Sequence, residues 1–515
     1  MGVGMGLGAR RPNIVLITSD QQRGDCFGFE GRKVKTPHLD ALARDGTRFS
    51  ACICPSVVCQ PARASILTGQ LPLTHGVHDN GIDLSPEVGE RGFAGSLAHA
   101  GYDTAFIGKA HFSTYHTFNP TGTPECIVSS ANYGADWHGP YMGFQHVELM
   151  LIGHNWFLPE KPPRGQHYER WFYADGHGDE KNTLYRDNAG NTGDAAQCWH
   201  SRLPVAWHNT TWTADRAIDW LKRKHDDPFC LWVSFPDPHH PFDCPEPWSR
   251  LHHPDEVDLP RYRTRNLDDR PWWHRAALES EPAGAPERAA IRKSYSRIAP
   301  QSDRQLREII ANTYGMVSLI DHNVGRILIA LDELGLADDT IVVFTADHGD
   351  WLGDHGLILK GPMPYEGLLR VGLILRGPGV PNGKVIDDPV STLDLGATFV
   401  DYAGASALQT QHGASLRPLV EGHGGARVFA RSEWELHPQR AGVALSLRTV
   451  RTKTHKLTVD LRSGDGELYD LASDPYERHN RFADAGSAAL RASLMDMILS
   501  RPNDAGPIRE PVGMA

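Results

Sequence analysis

Ile14-Val15-Leu16-Ile17-Thr18-Ser19-Asp20 is an unbroken apolar, β-branched run that stops at a hydroxyl and a carboxylate. A run this short, bounded by polar residues, predicts a strand buried on both faces. Thr36-Pro37 then opens an amphipathic segment through Arg44 that stops at Asp45-Gly46, so the order is strand, loop, helix. The order recurs. Helix Ser96–Ala100 precedes strand Thr104–Ile107, and helix Thr213–Lys224 precedes strand Phe229–Phe235, which ends at Pro236-Asp237. From Asp303 to Leu334, Leu306, Ile310, Val317, Ile320, Val324, Ile327 and Leu331 keep one helical stripe, before Gly335 and the strand Thr340–Thr345. Helix alternating with strand predicts an α/β fold, a mostly parallel sheet with helices on both faces.

The chain has 515 residues, more than one hydrophobic core usually holds. Residues 1–421 are expected to form an N-terminal α/β catalytic domain, with insertions near 119–208 and 251–303. Residues 422–515 are expected to form a smaller C-terminal α+β subdomain, with strands Arg427–Ala430, Val443–Val450 and Lys456–Val459 and a last helix near Ser487–Leu499. The insertions are rich in Gly, Trp, His and Pro, and loops of that length more often shape a site than idle, so they are assigned to the substrate entrance. Trp137, His138 and Tyr141 belong to the first of them and serve either packing or an aromatic rim.

A net charge of −11 spread along the chain argues against a nucleic-acid footprint, which needs a basic face. No apolar stretch is long enough for a bilayer. Met1–Arg11 lacks a basic stretch before a sustained apolar one, so no signal peptide is read and a cytoplasmic location is expected. Eight cysteines without paired spacing do not make a disulfide or zinc framework, which leaves individual cysteines to carry chemistry.

Ligands of open α/β sheets bind beyond the carboxyl ends of the strands. Asp20 follows the first strand, and Asp347 with His348 follows the Thr340 strand. Two carboxylates and an imidazole converging there can hold a divalent cation. Cys59-Gln60-Pro61-Ala62-Arg63 opens a helical run, with the proline in the first turn, where its missing N–H costs little. Cys59 therefore sits at a helix N-terminus, a position that favours a thiolate or a bound oxyanion. Asn80, in Asp79-Asn80-Gly81, reads as a turn residue or a substrate contact.

Cys59-x-Pro61-x-Arg63 followed by Ala64-Ser65-Ile66-Leu67-Thr68-Gly69 resembles the signature of type I sulfatases. The resemblance extends through Asp20, Gly108-Lys109-Ala110-His111, Pro238-His239-His240-Pro241, Asp347-His348-Gly349-Asp350, Gly353-Asp354-His355-Gly356 with Lys360, and Gly466-Glu467-Leu468-Tyr469-Asp470. It implies an alkaline-phosphatase-like fold and hydrolysis of a small-molecule sulfate ester. It implies that a formylglycine-generating enzyme oxidises Cys59 to formylglycine, whose hydrate is the nucleophile. By the same resemblance Asp20, Gln21, Cys59, Asp347 and His348 hold one divalent cation, calcium first and manganese as the alternative. Arg63, Lys109 and Lys360 neutralise the sulfuryl oxygens, Asp347 can take the nucleophile's proton, and His111 takes the proton whose loss re-forms the aldehyde. His239 or Lys360 protonates the leaving oxygen. Asn80, Lys109, His239 and Lys360 are the implied substrate contacts, and His78, His240 and His355 are read as structural. A homo-oligomer is compatible with the sequence and not required by it.

Three departures bear on these roles. Gln21 stands where many members carry a second aspartate, His348 where some carry asparagine, and Ala62 where serine is most often seen. The first two leave the metal open between calcium and manganese. A phosphonate monoester or phosphodiester hydrolase using the same site is the rival activity, and the pair Lys109 and His111 favours the sulfatase. A further rival, of another class, is an anion-binding protein whose Cys59 stays a thiol.

Overall fold

The computed structural model describes residues 11–151 and 165–514, apart from 288, 291–292, 294–296 and 426. Residues 1–10 of the segment read for targeting, and parts of both expected insertions, lie outside the described residues. The central sheet has nine strands among the described residues: β1 (Asn13–Ser19), β2 (Thr47–Ile53), β3 (Asp103–Lys109), β4 (His146–Met150), β5 (Phe229–Ser234), β6 (Thr340–Ala346), β7 (Arg370–Arg376), β8 (Lys384–Ile386) and β9 (Val390–Ser391). Their order is β4-β3-β5-β1-β6-β7-β2-β8, with β9 also paired to β2. Every pairing is parallel except those of β7, which runs against both β6 and β2. β1, β5 and β6 are buried along their whole length, which is why their sequences read as continuous apolar runs and not as alternation.

Two apolar layers cover the sheet. One contains helix α1 (Pro37–Arg44), helix Asn209–Leu221 and the 31-residue helix Asp303–Glu333, whose stripe Ile320, Val324, Ile327 and Leu331 packs with Val15, Ile17, Leu231 and Phe344. The other contains helix α2 (Cys59–Thr68), helix Phe93–His99 and helix Leu395–Tyr402, packed with Leu16, Phe106, Trp232 and Val343. The long helix starts on a reciprocal cap between Ser302 and Gln305. The expected parallel, doubly covered sheet is therefore present, and β4 is an edge strand drawn from the segment expected as an insertion near 119–208.

A second, antiparallel sheet follows, β10 (Phe429–Leu436), β11 (Leu445–Thr452), β12 (His455–Asp460) and β13 (Gly466–Asp470), with helix Ala488–Leu499 packed on it. The expected strand Arg427–Ala430 is corrected to β10. The apolar pattern fades at Ser432, Glu433 and Glu435, yet the strand continues because Arg501 and Arg448 neutralise the two buried carboxylates at 2.8 and 2.5 Å. Among the described residues, no helix is long and apolar enough to cross a membrane.

Candidate active site

Strand register brings the first acids together. Ser19 pairs with Ala346 across β1 and β6, so Asp20 and Asp347 leave neighbouring strand ends side by side. Gly108 pairs with Ser234 across β3 and β5, which brings Lys109 to the same edge. Helix α2 aims its N-terminus at this edge, with Cys59 as its first residue and Pro61 in its first turn. Its capping residue Val58 has no side-chain acceptor, and the need is met from outside: Asn80 Oδ1 accepts the N–H of Gln60 at 3.1 Å. The Gln60 side chain returns the tie, accepting the N–H of Gly81 at 2.9 Å and donating to the Ile82 carbonyl at 2.8 Å.

Cys59 Sγ lies 2.8 Å from Lys360 Nζ, 3.1 Å from His348 Nε2 and 3.7 Å from Asp20 Oδ1. Burial and Asp20 oppose ionisation of this thiol; Lys360 and His348 outweigh them and bring it below its ordinary value. Asp20 is fully buried. Burial alone would raise its carboxyl, but Lys109, His239, Arg63 and Lys360 hold it well below the usual carboxylate range. Lys109 Nζ meets its Oδ2 at 2.6 Å.

Arg63 is as deeply buried, and its contacts revise its expected place around the sulfuryl oxygens. Its guanidinium donates to Asp347 Oδ2 at 2.8 Å, to Asp20 Oδ2 at 3.3 Å, to the Lys109 carbonyl at 2.6 Å and to Ser234 Oγ at 2.8 Å. It ties the ends of β1, β3, β5 and β6 together beneath the site. Asp347 is correspondingly engaged, since its Oδ1 also accepts the N–H groups of Gln21 at 3.0 Å and His348 at 2.8 Å.

Asp20, Cys59, Asp347 and His348 place ligand atoms within 4.8 Å of one another, all buried. His348 Nδ1 donates to the Gly349 carbonyl at 2.8 Å, which turns Nε2 toward the cluster. Two hard carboxylates with an imidazole suit a divalent cation. Gln21, in a left-handed backbone (φ 64°), donates from Nε2 to Asp350 Oδ2 at 2.6 Å and accepts from Lys360 at 3.0 Å through Oε1, the one atom it can offer a cation. Asp350 is a site residue that sequence reasoning missed, although it stands in the quoted string; its other oxygen fixes the loop by accepting the N–H groups of Leu352 and Leu359. A second group, His138, His146 and Glu148, also lies within 4.8 Å, but Arg216 occupies its carboxylate at 2.6 Å.

His239 Nδ1 donates to the His240 carbonyl at 2.6 Å, so Nε2 faces Lys360 Nζ at 3.2 Å as an acceptor. Burial, His240 and Lys360 push its pKa well below the ordinary value. His240 stacks on it and meets Gln21. His111 is 3% exposed, sits in a left-handed backbone (φ 52°), and neither ring nitrogen makes a hydrogen bond. Burial, Lys109 and Arg63 keep it neutral. His78 accepts an N–H from Arg509 and His355 stacks on Tyr365, both away from Cys59's contacts. Asn80, expected as a turn residue or substrate contact, directs its oxygen at α2. Trp137 packs with Tyr133 and His167, while Tyr141 turns inward to Glu125 and Ser113.

The chain matches the family described as Sulfatase over residues 12–405, and the one described as N-sulphoglucosamine sulphohydrolase, C-terminal, over residues 353–503. It is 30% identical over 490 residues to an arylsulfatase of Clostridium perfringens (strain 13 / Type A), covering 91% of this chain and 90% of the relative. Among solved structures it resembles the phosphonate monoester hydrolase of Agrobacterium radiobacter, with TM-score 0.73, 27% identity and 95% of each chain covered. The phosphonate monoester hydrolase SpPMH from Silicibacter pomeroyi gives TM-score 0.76 at 25% identity, covering 95% of this chain and 94% of that one.

Proposed function

The chain belongs to the sulfatase family, a family of sulfuric ester hydrolases, and on that premise we propose that it cleaves small sulfate monoesters at Cys59 after conversion of that residue to formylglycine. The observation that carries the proposal is the placement of Cys59 Sγ against Lys360, His348 and Asp20 at the carboxyl edge of a parallel sheet. Asp20, Asp347, His348 and the Gln21 oxygen would hold a divalent cation, calcium or manganese. When bound, the cation supplies Lewis-acid polarisation and a lowered pKa at the position-59 hydroxyls, and the aldehyde hydrate supplies the nucleophile.

The chain's own residues divide the remaining work. Lys109 and Lys360 present the positive charge that a sulfuryl group needs as its leaving bond lengthens. Arg63, bound on four sides, positions Asp20 and Asp347 rather than touching substrate. Lys360 Nζ, with three N–H positions to give, faces Nε2 of His239, so Lys360 is the donor to the leaving oxygen and His239 orients it. His111, neutral and with both ring nitrogens open, is the proton acceptor beside Lys109. The walls of a narrow cleft at Lys360 include Trp351, Leu278, Trp434 and Arg440, a setting for the alcohol half of the ester.

A phosphonate monoester hydrolase is the second reading, favoured by the likeness to two such enzymes of solved structure. Mass spectrometry of the peptide containing Cys59, from protein made with a formylglycine-generating enzyme, tests the proposal. The aldehyde or its hydrate is expected, its fraction tracking specific activity across preparations. A fully active preparation whose Cys59 is all thiol would sink it.

A further inference from the structure

The strained backbone at His111 needs something to hold it. A non-glycine residue in the left-handed region persists only where its surroundings over-determine it. His111 also ends up in an unusual state, sealed from solvent and hydrogen-bonded through neither ring nitrogen. The ring touches Tyr115 at 5.4 Å between centroids, which does not fix its backbone.

What fixes it arrives from fourteen residues further along the chain. Glu125 is 3% exposed, and its Oε1 accepts the N–H of Phe112 at 3.1 Å, the N–H of Ser113 at 3.0 Å and the hydroxyl of Tyr141 at 2.8 Å. Tyr141 in turn meets Ser113 Oγ at 2.9 Å. One carboxyl thus gathers the two amides that follow His111 and is itself pinned by a phenol. We propose that Glu125, backed by Tyr141, is a positioning residue that locks the backbone after His111 and so keeps its imidazole beside Lys109, a role that rests on His111 acting as the proton acceptor. Burial pushes the Glu125 carboxyl up to about 7 against the pull of Tyr141 and of the N–H groups of residues 111–113. Its acceptor role does not depend on charge, so glutamine can reproduce it.

The test compares Glu125→Ala, Glu125→Gln and Tyr141→Phe in the full chain, reading steady-state kinetics on an aryl sulfate together with hydrogen exchange across residues 110–116. In Glu125→Ala the amides of Phe112 and Ser113 should lose protection, and kcat should fall by about 10²-fold while KM changes little, the cost of a displaced reacting group. Glu125→Gln should restore both readouts, and Tyr141→Phe, which deletes one hydroxyl and keeps the fold, should give a partial loss in each. Unchanged amide protection in Glu125→Ala, or glutamine failing as badly as alanine, overturns the proposal. Full turnover by His111→Ala would instead overturn the role of His111, while exchange would still report on the clamp.

Discussion

Asp347 accepts three hydrogen bonds, from Arg63, Gln21 and His348, and with Asp20 it is one of two carboxylates clustered with Cys59 among the described residues. Asp347→Asn keeps the shape but removes a charge proposed both to hold the cation and to take the nucleophile's proton. It should lower kcat by at least about 10², as expected for an electrostatic group at a reacting centre. Thermal unfolding with and without added calcium or manganese separates the two sources of that loss. The parent should gain stability on adding the cation, and Asp347→Asn should gain little. A parent indifferent to chelation in both activity and melting would contradict the assigned ligands. Arg63 shows what a motif string leaves out: the resemblance implied a cation for the sulfuryl oxygens. Its four contacts inside the fold are set by strand register, which no local pattern displays.

Helix α2 depends on an acceptor borrowed from another turn. Asn80→Ala removes the partner of the Gln60 N–H and should cost about 1 kcal/mol of stability, with a loss of kcat because Cys59 precedes that amide; Asn80→Asp should keep the acceptor. An Asn80→Ala protein equal to the parent in melting and turnover would show the cap to be idle. In the second sheet, Glu467 on β13 is paired with His274 at 3.1 Å and with the Tyr469 hydroxyl at 2.6 Å. Burial opposes its ionisation, but His274, Tyr469 and Arg270 bring its pKa down to about 2 from 4.5. Its contribution to stability is therefore present above about pH 4.5 and lost as pH falls toward about 2. Glu467→Gln should flatten the acid limb of a melting curve taken across that window, and an unchanged limb would remove the pair from the account. At this scale β1 and β6 were legible as unbroken apolar runs and the long helix because it keeps one period throughout. β7 was as legible in its apolar run but was not placed, and β2 was not because it carries a bulge between Phe49 and Cys52 and alternates buried with half-buried positions. Cys59, Asp20 and His348 could be picked from motif strings; Glu125 could not, since nothing near it in sequence marks it as a partner of residues 112 and 113.

Taken whole, the molecule sets three buried or half-buried cations, Arg63, Lys109 and Lys360, against the two carboxylates clustered with Cys59, Asp20 and Asp347, before any divalent cation is counted. That surplus suits an ester with one negative charge. A sulfate monoester and a phosphonate monoester each carry one at neutral pH; a phosphate monoester carries nearly two, and desolvating the second charge raises its cost of entry into a buried site. The second sheet contributes Trp434 and Leu436 to the narrow cleft at Lys360, so the wall of the proposed alcohol site comes in part from a segment remote in sequence from Cys59. The charge argument sets both monoanionic esters above a phosphate monoester; between those two, the family membership points to sulfate, whereas the likeness to phosphonate monoester hydrolases points to the rival. The deciding measurement is kcat/KM of the matured protein for an aryl sulfate, an aryl phenylphosphonate and an aryl phosphate that release the same phenol. The account predicts that order of decreasing rate, and a phosphonate ester leading the sulfate tenfold or more, about 1.4 kcal/mol in the barrier, would contradict it.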